Sequence, residues 1–536
     1  RVTILAFSFP EFALLAFVGL AGIAIASKGS ILKGIMSGLL GLGFSFIGFS
    51  PVHGELRLVF DNAELLKGVD AVGALIGLYA ITEAIKMISS KRNQKSLVDV
   101  KIPFSQVMEG VKFVFTKPKI LIKSSVIGAG VGVIPAMGGT VAAFMAYFSA
   151  KSSSKDPDSF GSGNPEGVLA PEASNDAKDA ASALPSLAFG IPGSSDWAII
   201  LGALVVQGIQ PGPMLIKEQP VLMWLAIVTI ALASFATSAI GLAMSPVITK
   251  VTLLRPSLVG VAIASVALTG AYGLDNKMID IIWAIIFGTL GYFMSRSGYP
   301  TVPLILGLLL GKGFETNFNH TSSIMDGGIT SFVTRPISLV LVACVVLIIG
   351  SAFRKNKKHV STATDAADGK VEHGVKLSLE SKIFAFFMLG LASFLVVTSL
   401  SLNQYAAKVF PIMVGSLLGL TAIAFLVIGS VDSLALKLPD FIGNSSEIRV
   451  REDTNFKVFG LNPELAVLGS FVGYLGLTVL VGPAIGLVLM GVFLLFVVAK
   501  ENWKVAVISL VALYGFLWLV FIVAFNVEVS YGLLPL

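Results

Sequence analysis

The chain has 536 residues, 55% of them hydrophobic and only 13% charged, with a formal net charge of +6 and one cysteine. Its mean hydropathy is +0.87, and a soluble domain carries about 25% charged residues, so polar surface is too scarce to wrap soluble domains. An all-α polytopic membrane protein is the expected fold class. Cys344 has no disulfide partner, and one Cys with four His cannot build a tetrahedral metal centre. The Lys and Arg residues flank apolar segments, which is the positive-inside arrangement and excludes the basic stripe of a nucleic-acid binder.

Apolar segments of crossing length, about 17–25 residues, recur at 11–27, 31–50, 69–88, 121–150, 184–207, 220–244, 257–274, 279–295, 301–314 and 334–353. More follow at 383–400, 409–430, 465–482, 483–499 and 505–526. The pattern predicts about 14–15 transmembrane or re-entrant helices, with 301–314 short enough to be re-entrant. Lys91, Arg92, Lys95, Lys101, Lys112, Lys117, Lys119 and Lys123 crowd one connection. Arg354, Lys355, Lys357, Lys358, Lys370, Lys376 and Lys382 crowd another. Both are expected on the cytoplasmic side of the membrane. Alternation puts Lys28 and Lys33 on the same side and the acidic 51–68 loop, with Glu55, Asp61 and Glu64, outside.

Between 103 and 116, FSQVMEGVKFVFT suits a helix lying along the membrane surface. The polar stretch 354–382, around STATDAADGKVEHG, reads as a flexible linker or an ordinary long cytoplasmic loop. As a linker it divides the chain into a membrane domain at 1–353 and a smaller one at 383–536.

Two segments depart from plain hydrophobic spans: GAGVGVIPAMGGTVAAFMAYF at 128–148 and LPSLAFGIPGSSDWAIILGALVVQG at 184–208. Each sets Ile-Pro before a cluster of small residues and then an apolar helical run. Pro removes a backbone donor and Gly lets the chain unwind. Non-helical backbone survives at membrane depth only against protein or a watery cavity. Two such interruptions point to a transport site formed by broken helices. The restarted helices offer unpaired N–H groups and a partial positive charge, beside the hydroxyls of Thr140, Ser194 and Ser195. A carboxylate substrate is expected at Pro135, Gly138, Gly139, Thr140, Pro192, Gly193, Ser194 and Ser195. The alternative is that Pro and Gly merely kink two packed helices.

Asp196 either N-caps its own half-helix or holds a coupling Na⁺ or H⁺. The polar run 151–183 between the breaks reads as a solvated loop, or as a source of further ligands. Asn164, Glu166, Glu172 and Asn175 are candidate donors, and Asp176 is a second candidate for the coupling ion.

These residues resemble a family. From 131 to 213 the chain looks like the signature of the large membrane subunit of tripartite tricarboxylate transporters (TctA). The matching turns and runs are Pro135–Gly139, Ala142–Tyr147, Phe160–Gly163, Glu166–Val168, Ala170–Asp176, Gly190–Gly193 and Gly208–Pro213. The likeness extends more weakly over 1–350. The block 383–536 is similar in composition to the small membrane subunit (TctB), with Phe410-Pro411 opening its second span, which implies a fusion of the two. Asp176 and Asp196-Trp197 stand where the family carries neutral residues. The family's earlier repeat, with its Gly-Leu-Pro-Gly-Leu-Gly turn, has no counterpart before residue 10. With Arg1 first and no signal-peptide layout, a missing front is expected.

The resemblance implies a secondary transporter that takes up small organic acids of the tricarboxylate or dicarboxylate class by cation symport. It needs no cofactor beyond the coupling Na⁺ or H⁺. Its partners are an extracytoplasmic solute-binding protein and the lipid bilayer. A truncated, inactive fragment is the alternative. An intramembrane enzyme is disfavoured: there is no His-Glu-x-x-His pair and no Gly-x-Ser-x-Gly elbow in a span. Gly307–Gly313 lacks the spacing and the Ser/Thr of a phosphate loop.

Overall fold

A computed structural model describes residues 8–11, 13–14, 30–50, 54–89, 104–133, 138–154, 156–160, 163–190, 193–209, 211–251, 254–323, 330–343, 378–402, 404–430 and 462–524. In chain order the helices are α1 (Ile31–Ser45), α2 (Ala71–Ser89, with a π turn at Gly77–Ile81), α3 (Phe104–Thr116), α4 (Pro118–Gly132) and α5 (Gly138–Ser153). Next come α6 (Glu166–Phe189), α7 (Ser195–Val206), α8 (Pro213–Glu218), α9 (Pro220–Val251), α10 (Pro256–Asp275), α11 (Met278–Arg296) and α12 (Val302–Ser323). The last are α13 (Leu379–Leu400), α14 (Tyr405–Ser430), α15 (Pro463–Val481), α16 (Pro483–Val498) and α17 (Trp503–Ala524). Among the described residues, eight helices are long and apolar enough to cross a membrane, so the chain is an all-α polytopic membrane protein. Proline opens α4, α10, α15 and α16, where its missing N–H costs nothing. Ser30 and Asp70 cap α1 and α2 through their side-chain oxygens.

The chain divides into two compact units. The first comprises 1–68, 103–245 and 299–445. Within it α1 runs beside α12, with Gly41 against the Leu304 carbonyl, Gly307 against Gly38 and Leu42, and Gly311 against Ser45. Beyond α1 a two-residue hairpin pairs Gly48 with Arg57 and Phe49 with Leu56. Arg57 reaches both oxygens of Glu315 at 2.8 and 2.9 Å, with the two side chains 2% and 1% exposed. At the same end Glu55 accepts the Gln404 amide at 3.1 Å. At the other end the Lys33 ammonium donates to Ser381 at 3.1 Å and lies over the Tyr299 ring. Lys33 thus lies beside the start of α13, while residues 54–68 of the acidic loop follow the other end of α1.

The second unit comprises 69–102, 246–298 and 446–536. It packs α2, α10, α11 and α15–α17 around Ile81, Ile85, Leu268, Ile281, Phe471 and Leu494. Gly77 lies against Ala284 and Gly288, and Gly291 against Thr82, so α2 and α11 approach backbone to backbone. Helices α13 and α14 pack in the first unit and α15–α17 in the second.

Four expectations change. The helix of the 31–50 span ends at Ser45, and Gly48–Phe49 form the first strand of the hairpin. The 301–314 segment is part of a 22-residue helix, because its polar continuation through Thr316, Asn317 and Asn319 stays helical. The 121–150 segment is two helices. The run 151–183 is largely helical: Glu166–Phe189 forms one 24-residue helix with Pro171 and Pro185 inside it, which takes residues 184–189 from the 184–207 span. A helix occupies Phe104–Thr116 and has no buried residue. Most of the 11–27, 334–353 and 354–382 stretches lies outside the described residues.

Candidate functional site

Helix α5 returns alongside α4. The Lys123 ammonium donates to the Ser149 carbonyl at 3.4 Å and to Ser153 Oγ at 2.8 Å. The first break is therefore the tip of a helical hairpin, not a bend within one span. Helix α6 runs beside α4 in the same direction. Lys117 and Glu166 pair at 2.6 Å at their starts. Further on, Gly128 abuts the Ser174 carbonyl, and Gly132 abuts the Lys178 carbonyl. Only glycine permits this: a Cβ at Gly128 would sit 2.0 Å from that oxygen, and one at Gly132 would sit 2.4 Å away. α4 has 15 residues, or about 22 Å, less than the roughly 30 Å hydrocarbon core.

The second break follows the same plan. Gly190 takes φ +70, a left-handed turn that ends α6, and its backbone lies against Pro211. Ser194 is extended at φ −149 and its Oγ accepts the Trp197 amide, so Ser194 caps α7. Asp196 does not cap; it sits in the first turn, where its charge complements the helix dipole, and it is exposed. Helix α7 folds back on α6, with the Trp197 indole donating to the Asp179 carbonyl at 2.8 Å.

The two breaks meet on α6. Ser182 is fully buried and donates to the Gly132 carbonyl at 3.2 Å, at the end of α4. A Cβ at Gly193 would lie 2.6 Å from the Ser182 Cβ. Ser186 donates to the Ser182 carbonyl at 2.6 Å and accepts the Gly193 amide at 3.0 Å. Ser174 donates to the Ala142 carbonyl of α5 at 3.0 Å. One helical turn back from Ala142, Gly138 opens α5 level with Lys178. The first turns of α5 and α7 and the last turn of α4 thus converge on one stretch of α6.

That stretch holds a cation. The Lys178 side chain is 4% exposed and pairs with the neighbouring Asp179 carboxylate, which is 39% exposed. Ser174, Lys178, Ser182 and Ser186 recur every fourth residue and are all buried. Sequence reasoning passed over all four, although the spacing of four marks a helix face.

Of the residues expected at the site, Gly138, Gly139 and Thr140 begin α5, and Gly193, Ser194 and Ser195 begin α7. Pro135 and Pro192 lie outside the described residues. Asn164 is not among them; it precedes α6, where its Oδ1 accepts the Glu166 amide at 2.9 Å and its Nδ2 reaches Ser159. That is 18 residues before Ser182, or about 27 Å along the helix. Glu172 and Asp176 are exposed and Asn175 is half-buried. Glu172 and Asp176 lie two residues out of phase with the buried row, so they point away from it. No group of three or more His, Cys, Asp or Glu residues fit to hold a metal ion occurs among the described residues.

Two helical hairpins whose breaks share a buried row of hydroxyls and one ammonium thus lie within a polytopic helical membrane protein. Residues 2–306 match the Tripartite tricarboxylate transporter TctA family. The match takes in more than half of the chain, which belongs to that family of transporters. The chain is also 30% identical over 366 residues to "Uncharacterized 52.8 kDa protein in TAR-I ttuC' 3'region" of Agrobacterium vitis, covering 67% of this chain and 72% of the relative. It is 34% identical over 242 residues to "Uncharacterized protein in TAR-II ttuC' 3'region" of the same organism, covering 44% of this chain and all of the relative. No solved structure matches the chain.

Proposed function

We propose that the chain is the membrane permease of a binding-protein-dependent secondary transporter in the bacterial inner membrane. It takes up small organic acids of the tricarboxylate or dicarboxylate class by symport with Na⁺ or H⁺. The observation that carries this reading is the meeting of two hairpin breaks at Ser182, with the first turns of α5 and α7 directed at the same stretch of α6. Two helix N-termini present free amides and partial positive charge to a carboxylate. The candidate substrate contacts are therefore Gly138–Thr140 and Gly193–Ser195. The coupling cation calls for a carboxylate beside this stretch of α6, and the two acids that the sequence singled out for it, Asp176 and Asp196, are both exposed. An extracytoplasmic solute-binding protein delivers the acid, as the family's tripartite description supports. We place a small-subunit-like block at 383–536, joined to the permease by 354–382.

The test is uptake of labelled citrate and succinate into vesicles holding the protein, with a matching binding protein added and Na⁺ and pH gradients imposed separately. Uptake that needs both the binding protein and one gradient is the expected result. Gradient-independent leakage, or no uptake from inserted protein, overturns the reading.

A further inference from the structure

We propose that Lys178 is the cation that binds the substrate carboxylate, and that Asp179 is its resident counter-ion, displaced by the substrate and then neutralised by the coupling cation. The proposal rests on the transport reading above and names the chemistry of its site.

A buried ammonium is expensive unless it is paired and hydrogen-bonded. Lys178 is 4% exposed, beside the last turn of α4, whose carbonyls carry the negative end of the helix dipole. Packing alone has no use for a charge there, since methionine would fill the same volume without the desolvation cost. Its carboxylate partner is the adjacent residue. Asp179 is 39% exposed, so one member of the pair is enclosed and the other has room to leave. Its main chain is held in place by the Trp197 indole on its carbonyl, so the side chain can swing while the backbone stays.

The charge count gives the coupling. The empty pair is neutral. A substrate carboxylate that takes the place of Asp179 on Lys178 leaves the site at −1, with Asp179 released into a low-dielectric region. One monovalent cation, Na⁺ or H⁺, on the freed Asp179 restores neutrality. The anion therefore binds tightly only when the cation binds too, which is thermodynamic linkage between the two ligands. A second or third carboxylate falls to the first turns of α5 and α7, or needs a further cation.

The other charged groups on the surrounding elements leave Asp179 in that role. On α4, Lys123 is committed to Ser149 and Ser153, and Lys119 lies four residues nearer the start of that helix. On α5, Lys151 is near its far end. On α7, Asp196 is exposed in the first turn, and on α8 Lys217 and Glu218 close a short helix. On α6 itself, Glu166 pairs with Lys117, and Glu172 and Asp176 point away from the buried row.

The experiment measures labelled citrate and succinate binding to the full-length protein in detergent, across a Na⁺ series at fixed pH and a pH series without Na⁺. Wild type should bind one of them with an affinity that rises with Na⁺ or with acidity, and the responding series identifies the cation. D179N should bind without that dependence, its affinity flat across the series. K178Q should lose at least about 30-fold in affinity, the scale of removing one partner from a buried charge pair, and K178R should recover part of it. The double variant K178Q/D179N has no unpaired buried charge, so it tests the loss of binding even if K178Q misfolds. Wild-type cation dependence in D179N, or wild-type affinity in the double variant, overturns the proposal while leaving the transport reading intact. Failure of wild type to bind either acid overturns both.

Discussion

The α4–α7 hairpins and the α2–α11 pair of the second unit use the same device for different ends. In both, glycines let helix backbones touch: Gly77 on Ala284 in one, Gly128 and Gly132 on α6 in the other. Around Gly77 the neighbours are the Ala284 carbonyl, Gly288 and Phe287, with Ile81 packed on Gly288, and the same helices bury Ile81, Ile85 and Ile281 in an apolar core. Around Gly132 they are the Lys178 main chain and the Ala181 methyl, with the Ser182 hydroxyl on the Gly132 carbonyl. Close packing of the first kind yields rigidity. In the second kind it brings buried hydroxyls, one ammonium and three helix termini onto one stretch of α6. Glycine content alone does not distinguish the two; the polarity of the side chains buried beside the glycines does.

Five tests bear on that comparison, from the largest expected effect to the smallest. Glu315→Gln strips the fully buried Arg57 of its bidentate partner and should cost about 3–5 kcal/mol. The matching change in the second unit, Glu464→Gln, touches a pair whose Arg296 and Glu464 side chains are 40% and 24% exposed and should cost about 1 kcal/mol or less. Thermal unfolding in detergent separates the two classes, and equal losses would erase the contrast.

Gly128→Val forces a side chain into the Ser174 carbonyl, and Gly77→Val does the same to Ala284. Each should lose about 1–3 kcal/mol or more. Uptake measured per folded molecule should fall for Gly128→Val and hold for Gly77→Val. Gly193→Ala or Gly193→Leu should insert yet transport poorly, because the new Cβ collides with Ser182 and pushes the second tip away. Undiminished uptake by Gly193→Leu would remove this tip from the site.

Ser182→Ala removes one buried hydrogen bond to the Gly132 carbonyl, a loss of about 0.5–1.5 kcal/mol. It should slow uptake more than it lowers the melting temperature. Asp196→Asn should be the mildest, removing a dipole contribution of about 0.3–1 kcal/mol and leaving the cation profile unchanged. A shifted Na⁺ or pH profile in that variant would move the coupling role from Asp179 to Asp196.

Much of the fold was legible because hydropathy is what a bilayer reads: α10, α11 and α13–α17 fall within a few residues of their expected bounds. Helix α6 was not legible for the opposite reason. Its run of Asn, Asp, Lys and Ser, with Pro171 and Pro185 inside, has neither apolar periodicity nor freedom from breakers, so 151–183 read as solvated loop. The two breaks were visible in Ile-Pro followed by small residues, but not that each closes a hairpin, since antiparallel return depends on tertiary contacts such as Lys123 with Ser153. Ser194, Ser195 and Asp196 are all good cap formers, and only the extended backbone at Ser194 decides among them. Lys178 was hidden in plain view among residues presumed to face water.

Ser182 has a mechanical consequence. Because this one side chain is hydrogen-bonded to the end of α4 and packed against Gly193 at the head of α7, neither tip can lift without disturbing the other. Any displacement of one hairpin then calls for α4–α7 to travel as one rigid carriage. Independent flaps opening in turn would need that shared pin withdrawn first.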